Sequence, residues 1–228
     1  MVNNENWLVA PDFALFNKSG KIITSVDEWG RLAPPKIPKH WKDSRSAKEL
    51  ARCWFRNRTP SPPTELVEVL RSNPGMPPLH LERGVAEYQS SFDTFQGERS
   101  NIDLMLYARS AIIAIEAKAD EPFAATVKKK LEEAHRRPRT NFPMRLSALV
   151  DALFPALPNT LDDMGYQLLS GTAGVIAEAG REGVDCAVFV VHEFQSRMCS
   201  QKRLAVNQEQ LTTFANCVGV MGERLWCK

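Results

Sequence analysis

Two periods of hydrophobic residues divide this chain into helical and strand-forming parts. A helical period runs through residues 46–57, where Leu50 and Trp54 share one side and basic residues line the other. A period of two runs through residues 102–107, and the next segment, 111–118, is strand-like and richer in apolar residues. The pattern therefore predicts a chain that combines amphipathic helices with the strands of a sheet.

Turn and capping residues bound the remaining elements. The other predicted elements are a hairpin at 8–24, short helices at 25–32 and 64–71, a strand within 85–92, helices opening at Asp120, Asn141 and Thr160, a strand at 184–193, and a last helix capped by Asn207. The strand at 184–193 is apolar on both faces, which predicts a place inside the sheet. The order of elements predicts an α/β or α+β fold with a mixed sheet and a single domain over 1–228, in which residues 1–75 are mainly helical.

Composition adds only broad limits. Hydrophobic residues make up 43% and charged residues 25% of the chain, which is typical of a globular protein. No apolar run approaches the roughly 20 residues of a membrane helix, and the first residues lack a secretory signal, so we expect a cytoplasmic protein without a membrane partner. Five widely spaced cysteines argue against a disulfide framework and against a structural zinc site.

Positive charge is concentrated in two stretches, although the net charge is only +2. Residues 36–58 hold eight basic and two acidic residues, and residues 121–145 hold seven basic and three acidic ones. Such stretches suit a polyanion, but solvated helix faces have the same composition. The residues expected to contact a nucleic-acid backbone are Arg45, Lys48, Arg52, Arg56, Lys128, Lys129 and Lys130.

Two acidic residues meet at one point of the predicted sheet. If residues 109–110 form a two-residue turn, the register that follows places Asp103 opposite Glu116. Opposed residues have Cβ atoms about 4.5–5.5 Å apart, where like charges are destabilising. A divalent cation such as Mg²⁺ offsets this repulsion, because it prefers carboxylate oxygens, water and phosphate. Lys118 points to the same side as Glu116, and it can orient or deprotonate a water or stabilise charge on a phosphate.

A structural interpretation of the same residues stays open. A Glu-x-Lys pair at a strand end can be a solvated edge, and Asp103 can hydrogen-bond a turn. Arg-Ser is also not a favoured sequence for a two-residue hairpin, so the register depends on an unusual turn.

The arrangement of Asp103, a strand, Glu116-Ala117-Lys118 and a helix resembles the PD-(D/E)XK superfamily of restriction-endonuclease-like nucleases. The resemblance implies an αβββαβ core around a mixed sheet, here within residues 76–228. It implies that Asp103 and Glu116 hold Mg²⁺ or Mn²⁺, with the Ala117 carbonyl as an extra oxygen ligand, and that Lys118 assists the attacking water. Ile102 stands where the motif has Pro, a position that varies in the superfamily.

Further site residues follow from the resemblance. Superfamily members often add an acidic residue from the first core helix, and Glu49 is the positional candidate, with Glu87 a weaker one. The alternative for Glu49 is a capping box with Ser46 and salt bridges within the basic stripe. Gln167 lies on the helix after the catalytic strands, where it either approaches the site, as in several branches, or only packs and hydrogen-bonds beside Tyr166.

A narrower resemblance, from about His40 to Glu193, is to a family of uncharacterised bacterial proteins without an assigned substrate. It rests on His40-Trp41-Lys42, Ser46-Ala47, Leu50-Ala51, Cys53-Trp54, Glu116-Ala117-Lys118, Asp120-Glu121-Pro122-Phe123 and Tyr166-Gln167-Leu168-Leu169. We therefore predict a Mg²⁺-dependent nuclease that hydrolyses phosphodiester bonds of DNA or RNA. The alternative is a nuclease-like fold that binds nucleic acid or protein without catalysis.

Overall fold

A computed structural model describes residues 7–95, 99–137, 139–195 and 200–218. Within these ranges, six strands form one sheet in the order β2-β1-β3-β4-β5-β6. They are β1 (Trp7–Asn17), β2 (Ile22–Ile23), β3 (Leu79–Ser90), β4 (Ser100–Ala108), β5 (Ala111–Lys118) and β6 (Cys186–Glu193). β1 pairs with β3 and β5 with β6 in parallel, whereas the other neighbours are antiparallel. This confirms the predicted mixed α/β fold class.

Helices cover both faces of the sheet. Those found in the described residues are α1 (Val26–Leu32), α2 (Ser46–Trp54), α3 (Thr64–Ser72), α4 (Val127–His135), α5 (Phe142–Leu153), α6 (Tyr166–Glu182) and α7 (Gln201–Cys217). On one face, Leu50 and Trp54 of α2 join Ile113 in a buried cluster. On the other face, Val175 of α6 packs with Met105. None of the helices in these residues combines the length and apolar character needed to cross a membrane.

The β4–β5 hairpin has the predicted register. Ala108 pairs with Ala111 and Leu104 with Ile115, so the two residues between the strands form the predicted turn. Every residue of β5 is buried, because strands flank it on both sides and helices cover both faces. The hairpin therefore holds the start of β4 and the end of β5 together inside the molecule.

Two parts of the sheet differ from the prediction. The hairpin predicted at 8–24 is present as β1 and β2, but β1 also pairs with β3 in parallel inside the sheet, which the sequence pattern did not predict. The strand predicted in the interior, β6, is instead an edge strand in the described sheet. Its apolar character has another cause, since α6 approaches it closely. A Cβ atom on Gly171 of α6 would lie 2.5 Å from the Phe189 ring of β6.

Three helices do not begin where the capping signals indicated. α4 begins well after Asp120, and Thr126 caps it instead. α6 begins after a short 3-10 turn rather than at Thr160. α7 begins before Asn207, which is therefore an interior residue of the helix and not its cap. The buried side-chain amide of Asn207 donates to the main-chain oxygen of Glu121 at 3.0 Å. The chain between β5 and α4 is consequently irregular, and this segment lies beside the end of β5.

Candidate metal centre and adjoining cleft

Asp103 and Glu116 meet at the face of the sheet that α6 covers. Asp103 is near the start of β4 and Glu116 is near the end of β5, one position beyond the last paired residues and in the same register. The Oδ2 atom of Asp103 accepts a hydrogen bond from the main-chain nitrogen of Ala117 at 2.8 Å. The structure therefore brings together the two carboxylates that the turn predicted to be opposed.

A ring of hydrogen bonds surrounds Glu116, which is only 1% exposed, and Lys118, which is 5% exposed. The Oε1 atom of Glu116 accepts hydrogen bonds from Nζ of Lys118 and from Nε2 of Gln167, both at 2.6 Å. The Oε1 atom of Gln167 accepts a bond from the same Nζ at 3.0 Å. The other carboxylate oxygen of Glu116, Oε2, is buried and accepts no hydrogen bond from a donor among the described residues, while the Glu116 carboxyl group is within hydrogen-bond reach of Asp103.

Burial and charge set the protonation states of these groups. Burial, and then the charge of Asp103, raises the pKa of Glu116 well above its ordinary value. Burial also raises the pKa of Asp103, although the charge of Lys118 opposes it. Burial by itself would lower the pKa of Lys118, but the charges of Glu116 and Asp103 raise it. Lys118 is therefore an ammonium group, which can donate to a phosphate oxygen but cannot take a proton from water.

The donor atoms fit a divalent cation in part. Two carboxylates this close resist double ionisation unless a proton or a cation lies between them, and Glu116 offers a buried oxygen that accepts no hydrogen bond from the described residues. The main-chain N–H of Ala117 donates to Asp103 on β4. The N–H and the carbonyl oxygen of one strand residue point towards the same neighbouring strand, so the carbonyl oxygen of Ala117 also points towards β4. Within the described ranges, no three His, Cys, Asp or Glu side chains form a metal-binding group. Water or substrate phosphate would have to complete the coordination.

Glu87 lies next to Asp103 on the other neighbouring strand, β3. The pairs on either side of Glu87 place it opposite Asp103. Its φ of 51° is in the left-handed region, and its Oε2 atom accepts a bond from Nδ2 of Asn101 at 2.8 Å. Burial, and then the charge of Asp103, raises the pKa of Glu87 to about 7. The weaker of the two acidic candidates is thus the electrostatic neighbour of the carboxylate pair.

Glu121 is a neighbour of the site that the sequence did not single out. Its Oε2 atom accepts a bond from the main-chain nitrogen of Ala119 at 3.3 Å, and its Oε1 atom accepts one from the hydroxyl of Ser46 on α2. The charge of Glu121 raises the pKa values of both Asp103 and Lys118. The sequence predicted the start of a helix at Asp120, so this acidic segment was interpreted as a helix cap. That interpretation gave no reason to expect Glu121 near the site.

The basic side chains of α2 are held in ion pairs. Lys48 and Arg52 both contact Asp43 at 2.8 Å, and Arg56 contacts Glu65 at 2.8 Å. Paired cations offer less charge to a ligand than the sequence count indicates. Three of the four residues predicted to bind nucleic acid here are therefore partly neutralised within the protein: Lys48 and Arg52 on α2, and Arg56 just beyond its end.

Glu49 belongs to the same set of ion pairs. Its Oε1 atom accepts bonds from the main-chain nitrogen of Ser44 at 2.8 Å and from Arg52 at 2.9 Å. The N-cap residue of α2 is Arg45 rather than Ser46, so the predicted capping box is not formed. Of the two structural roles predicted for Glu49, the salt bridge within the basic stripe is present and the capping box is not.

The second predicted basic stretch is divided between two places. Lys128 and Lys129 are exposed on α4, where they stand beside two acidic residues. Lys130 instead lies over the ring of Tyr166, at 4.8 Å from its centroid. Lys130 also lines a cleft of about 850 Å³ that includes Gln167.

This cleft joins the two halves of the chain. One wall comes from the β1–β2 turn and the segment after α1, the floor from the end of β3 and the start of β4, and the other wall from the start of α6. Among the described residues, the charged ones in the lining are Lys18, Lys36, Arg99, Lys130 and the acidic Glu87. Gln167 lines the cleft and also bonds to Glu116, so the cleft leads towards the carboxylate pair.

The fold and the site together define an α+β protein with a carboxylate pair, half-buried Asp103 and buried Glu116, beside a basic cleft. A family model described as a domain of unknown function, DUF6946, matches residues 22–225, and the chain belongs to this family. No curated protein and no solved structure matches the chain. The family carries no assigned activity, so a function has to be argued from the geometry.

Proposed function

We propose that this chain is a Mg²⁺- or Mn²⁺-dependent nuclease that hydrolyses phosphodiester bonds of DNA or RNA in the cytoplasm. The observation that carries the proposal is the pair of half-buried Asp103 and buried Glu116 with the Lys118 ammonium beside it, joined through Gln167 to a basic cleft. A divalent cation relieves the repulsion within such a pair and supplies a reason for burying it. The resemblance of these residues to the PD-(D/E)XK motif supports the same reaction.

Each side chain has a distinct task in this proposal. Asp103 and Glu116 hold the cation, with the Ala117 carbonyl oxygen as a further ligand. When bound, the cation would polarise the phosphate and activate a water for attack. Lys118 donates to a phosphate oxygen and stabilises the charge that develops there. Gln167 is a positioning residue, since it holds the Lys118 ammonium and the Glu116 carboxylate in a fixed relation.

The test compares the wild type with Asp103→Asn and Glu116→Gln, which keep the size of each side chain. Glu132→Gln, at an exposed position of α4, is the matched control. We expect the heat of Mn²⁺ binding in calorimetry to be lost in both site variants. Cleavage of labelled DNA and RNA oligonucleotides with Mg²⁺ should fall roughly a thousandfold, as for other groups that act in the transition state. Cleavage that persists in both variants while they remain folded would refute the proposal.

A second candidate is a nuclease-like fold that binds nucleic acid or protein without catalysis. Two observations favour it: Glu116 is almost fully buried and already bonded to Lys118 and Gln167, and the described residues contain no three-residue metal-binding group. A fold by itself does not determine an activity. Under this alternative, the wild type binds neither ion at millimolar concentration, and both site variants bind the partner as the wild type does.

A further inference from the structure

Three basic side chains of the cleft differ from those beside Asp43 and Glu65 in forming no ion pair within the part of the chain that the structure describes, although the charge of Lys18 acts on Glu87. Lys18, Lys36 and Arg99 line the cleft and are exposed, and the ion pairs found within the described residues do not include them. Among the described lining residues the acidic one is Glu87, whose pKa the charge of Lys18 lowers slightly against the larger effects of burial and Asp103. Cations of one sign around a concave surface focus a positive potential that attracts an anionic ligand.

The wall that carries Lys18 is rigid. Oδ1 of the Asn17 side chain accepts bonds from the main-chain nitrogens of Ser19 and Lys21, at 3.0 and 2.9 Å. Its Nδ2 atom donates to the main-chain oxygen of Leu32 at 3.0 Å, and the residue is only 7% exposed. These bonds tie the β1–β2 turn to the end of α1. The two parts of this wall are consequently in place before a ligand binds, which lowers the entropy cost of binding.

The size of the cleft limits the ligand. Its volume of about 850 Å³ is within the range of roughly 300–1,000 Å³ that pockets for compact ligands occupy. Duplex DNA is read by a protruding helix or β-ribbon that enters its major groove, which is about 12 Å wide, rather than by a concave cleft. A single strand needs only a narrow basic groove with an aromatic side chain, and half-buried Phe92 supplies one in the lining.

We propose that this cleft binds single-stranded nucleic acid, with Lys18, Lys36 and Arg99 contacting successive phosphates. Lys130 and Gln167 on the opposite wall line the path towards Asp103 and Glu116. Single-stranded nucleic acid is therefore the substrate class that we assign to the site. This assignment of a substrate rests on the proposed nuclease function, whereas binding in the cleft requires no cleavage.

The experiment measures binding separately from cleavage. Fluorescence anisotropy with labelled oligo(dT) and oligo(rU) in EDTA reports the dissociation constant without turnover. The cleft variant carries Lys18→Gln, Lys36→Gln and Arg99→Gln, and the matched control on α2 carries Lys48→Gln, Arg52→Gln and Arg56→Gln. We expect the dissociation constant to rise roughly thirtyfold in the cleft variant and less than about twofold in the control. Thermal melting of both variants, together with the three single cleft substitutions, separates a binding defect from a folding defect.

Several outcomes would overturn the inference. Equal weakening by the two triple variants would place the contacts elsewhere, and so would no weakening by either. A duplex of the same length that binds more tightly than the single strand would refute the ligand class. A free mononucleotide that competes as well as an oligonucleotide would make the cleft a nucleotide pocket. The proposal would also be refuted if the wild-type protein bound neither oligo(dT) nor oligo(rU).

The two proposals fail in different ways. If the wild type binds single strands through the cleft but cleaves none with Mg²⁺ or Mn²⁺, the nuclease function is wrong and the cleft assignment stands. If cleavage depends on Asp103 and Glu116 but the cleft variant keeps the wild-type KM and dissociation constant, only the cleft assignment is wrong.

Discussion

The basic stripe of α2 and the basic lining of the cleft carry similar charges in different surroundings. On α2, Asp43 alone contacts both Lys48 and Arg52 at 2.8 Å. In the cleft, Lys18 and Arg99 are exposed and form no ion pair within the described residues, although the charge of Lys18 acts on Glu87. The comparison teaches that a count of basic residues along the chain does not locate a binding surface. What matters is whether the fold supplies acidic partners.

The pKa values of the acidic groups also differ between the two regions. Hydrogen bonds from Lys48 and Arg52 lower the pKa of Asp43. Burial, and then the charge of Asp103, raises the pKa of Glu87 to about 7. The Asp43 carboxylate before α2 is thus stabilised by neighbouring cations, whereas burial and the Asp103 charge disfavour the ionised form of Glu87 more than the charge of Lys18 favours it. Among the described residues, the cleft is therefore the region where basic side chains lack ion pairs and can contact an anionic ligand.

The largest expected effect is on the salt dependence of binding. Each phosphate contact contributes about 0.7 to the slope of log K against log salt for a single strand, so the loss of three contacts should reduce the slope by about 2. The triple glutamine variant of Lys18, Lys36 and Arg99 tests this in an anisotropy series over salt concentration. An unchanged slope would mean that these side chains do not contact phosphates, and the α2 control variant should keep the wild-type slope.

The next effect is on stability, through Glu87. Its folded-state pKa of about 7 lies above its ordinary value of 4.5, so the neutral form favours folding. This contribution is complete at acidic pH and is lost as the pH rises through 7. Glu87→Gln should therefore be more stable than the wild type by about 1 to 3 kcal/mol at pH 8 and equal to it near pH 4. Urea denaturation in EDTA at both pH values measures the difference, and a difference that does not vary with pH would contradict the explanation.

Asp43→Asn is the control for that experiment, because we expect its effect on stability to depend on pH in the opposite direction. The folded-state pKa of Asp43 is lowered, so its contribution to stability is present above its ordinary pKa and is lost as the pH falls through the folded-state value. The variant should be less stable than the wild type at pH 7, and the difference should vanish in acid.

A smaller effect on binding is expected from the rigid wall of the cleft. Asn17→Ala removes the bonds to Ser19, Lys21 and Leu32, which should cost about 1 to 3 kcal/mol of unfolding free energy. Single-strand binding should weaken a few-fold, because Lys18 is then held less firmly. Asn73→Ala is the matched control, since Asn73 forms a similar turn outside the cleft lining. Equal binding defects in both variants would point to a general loss of stability.

The smallest change is expected when the α2 cations are released. Asp43→Asn combined with Glu65→Gln removes two acidic partners of Lys48, Arg52 and Arg56. Binding of oligo(dT) should tighten by only about two- to threefold, through the added long-range charge. A gain of more than tenfold in anisotropy would place α2 on the path of the strand and would reverse the comparison.

Parts of the site that depend on local pattern could be predicted. The two-residue turn between β4 and β5 was enough to derive the register that joins Asp103 to Glu116, because a hairpin register follows from the length of its turn. Gln167 was also named, and the structure brings it to Glu116 and Lys118. Glu87 was harder to place, since the longer connection between β3 and β4 leaves their register undetermined from sequence.

By itself, the sequence determined the fold class, the β4–β5 hairpin and the carboxylate pair at its open end. These features depend on hydrophobic period and on contacts between residues near in the chain. Only the tertiary structure decided that the cations of α2 are neutralised by Asp43 and Glu65. It also decided that Lys18 and Arg99 share one cleft with Gln167. These relations join segments distant in sequence, and they arise from packing on the sheet, which no local pattern encodes.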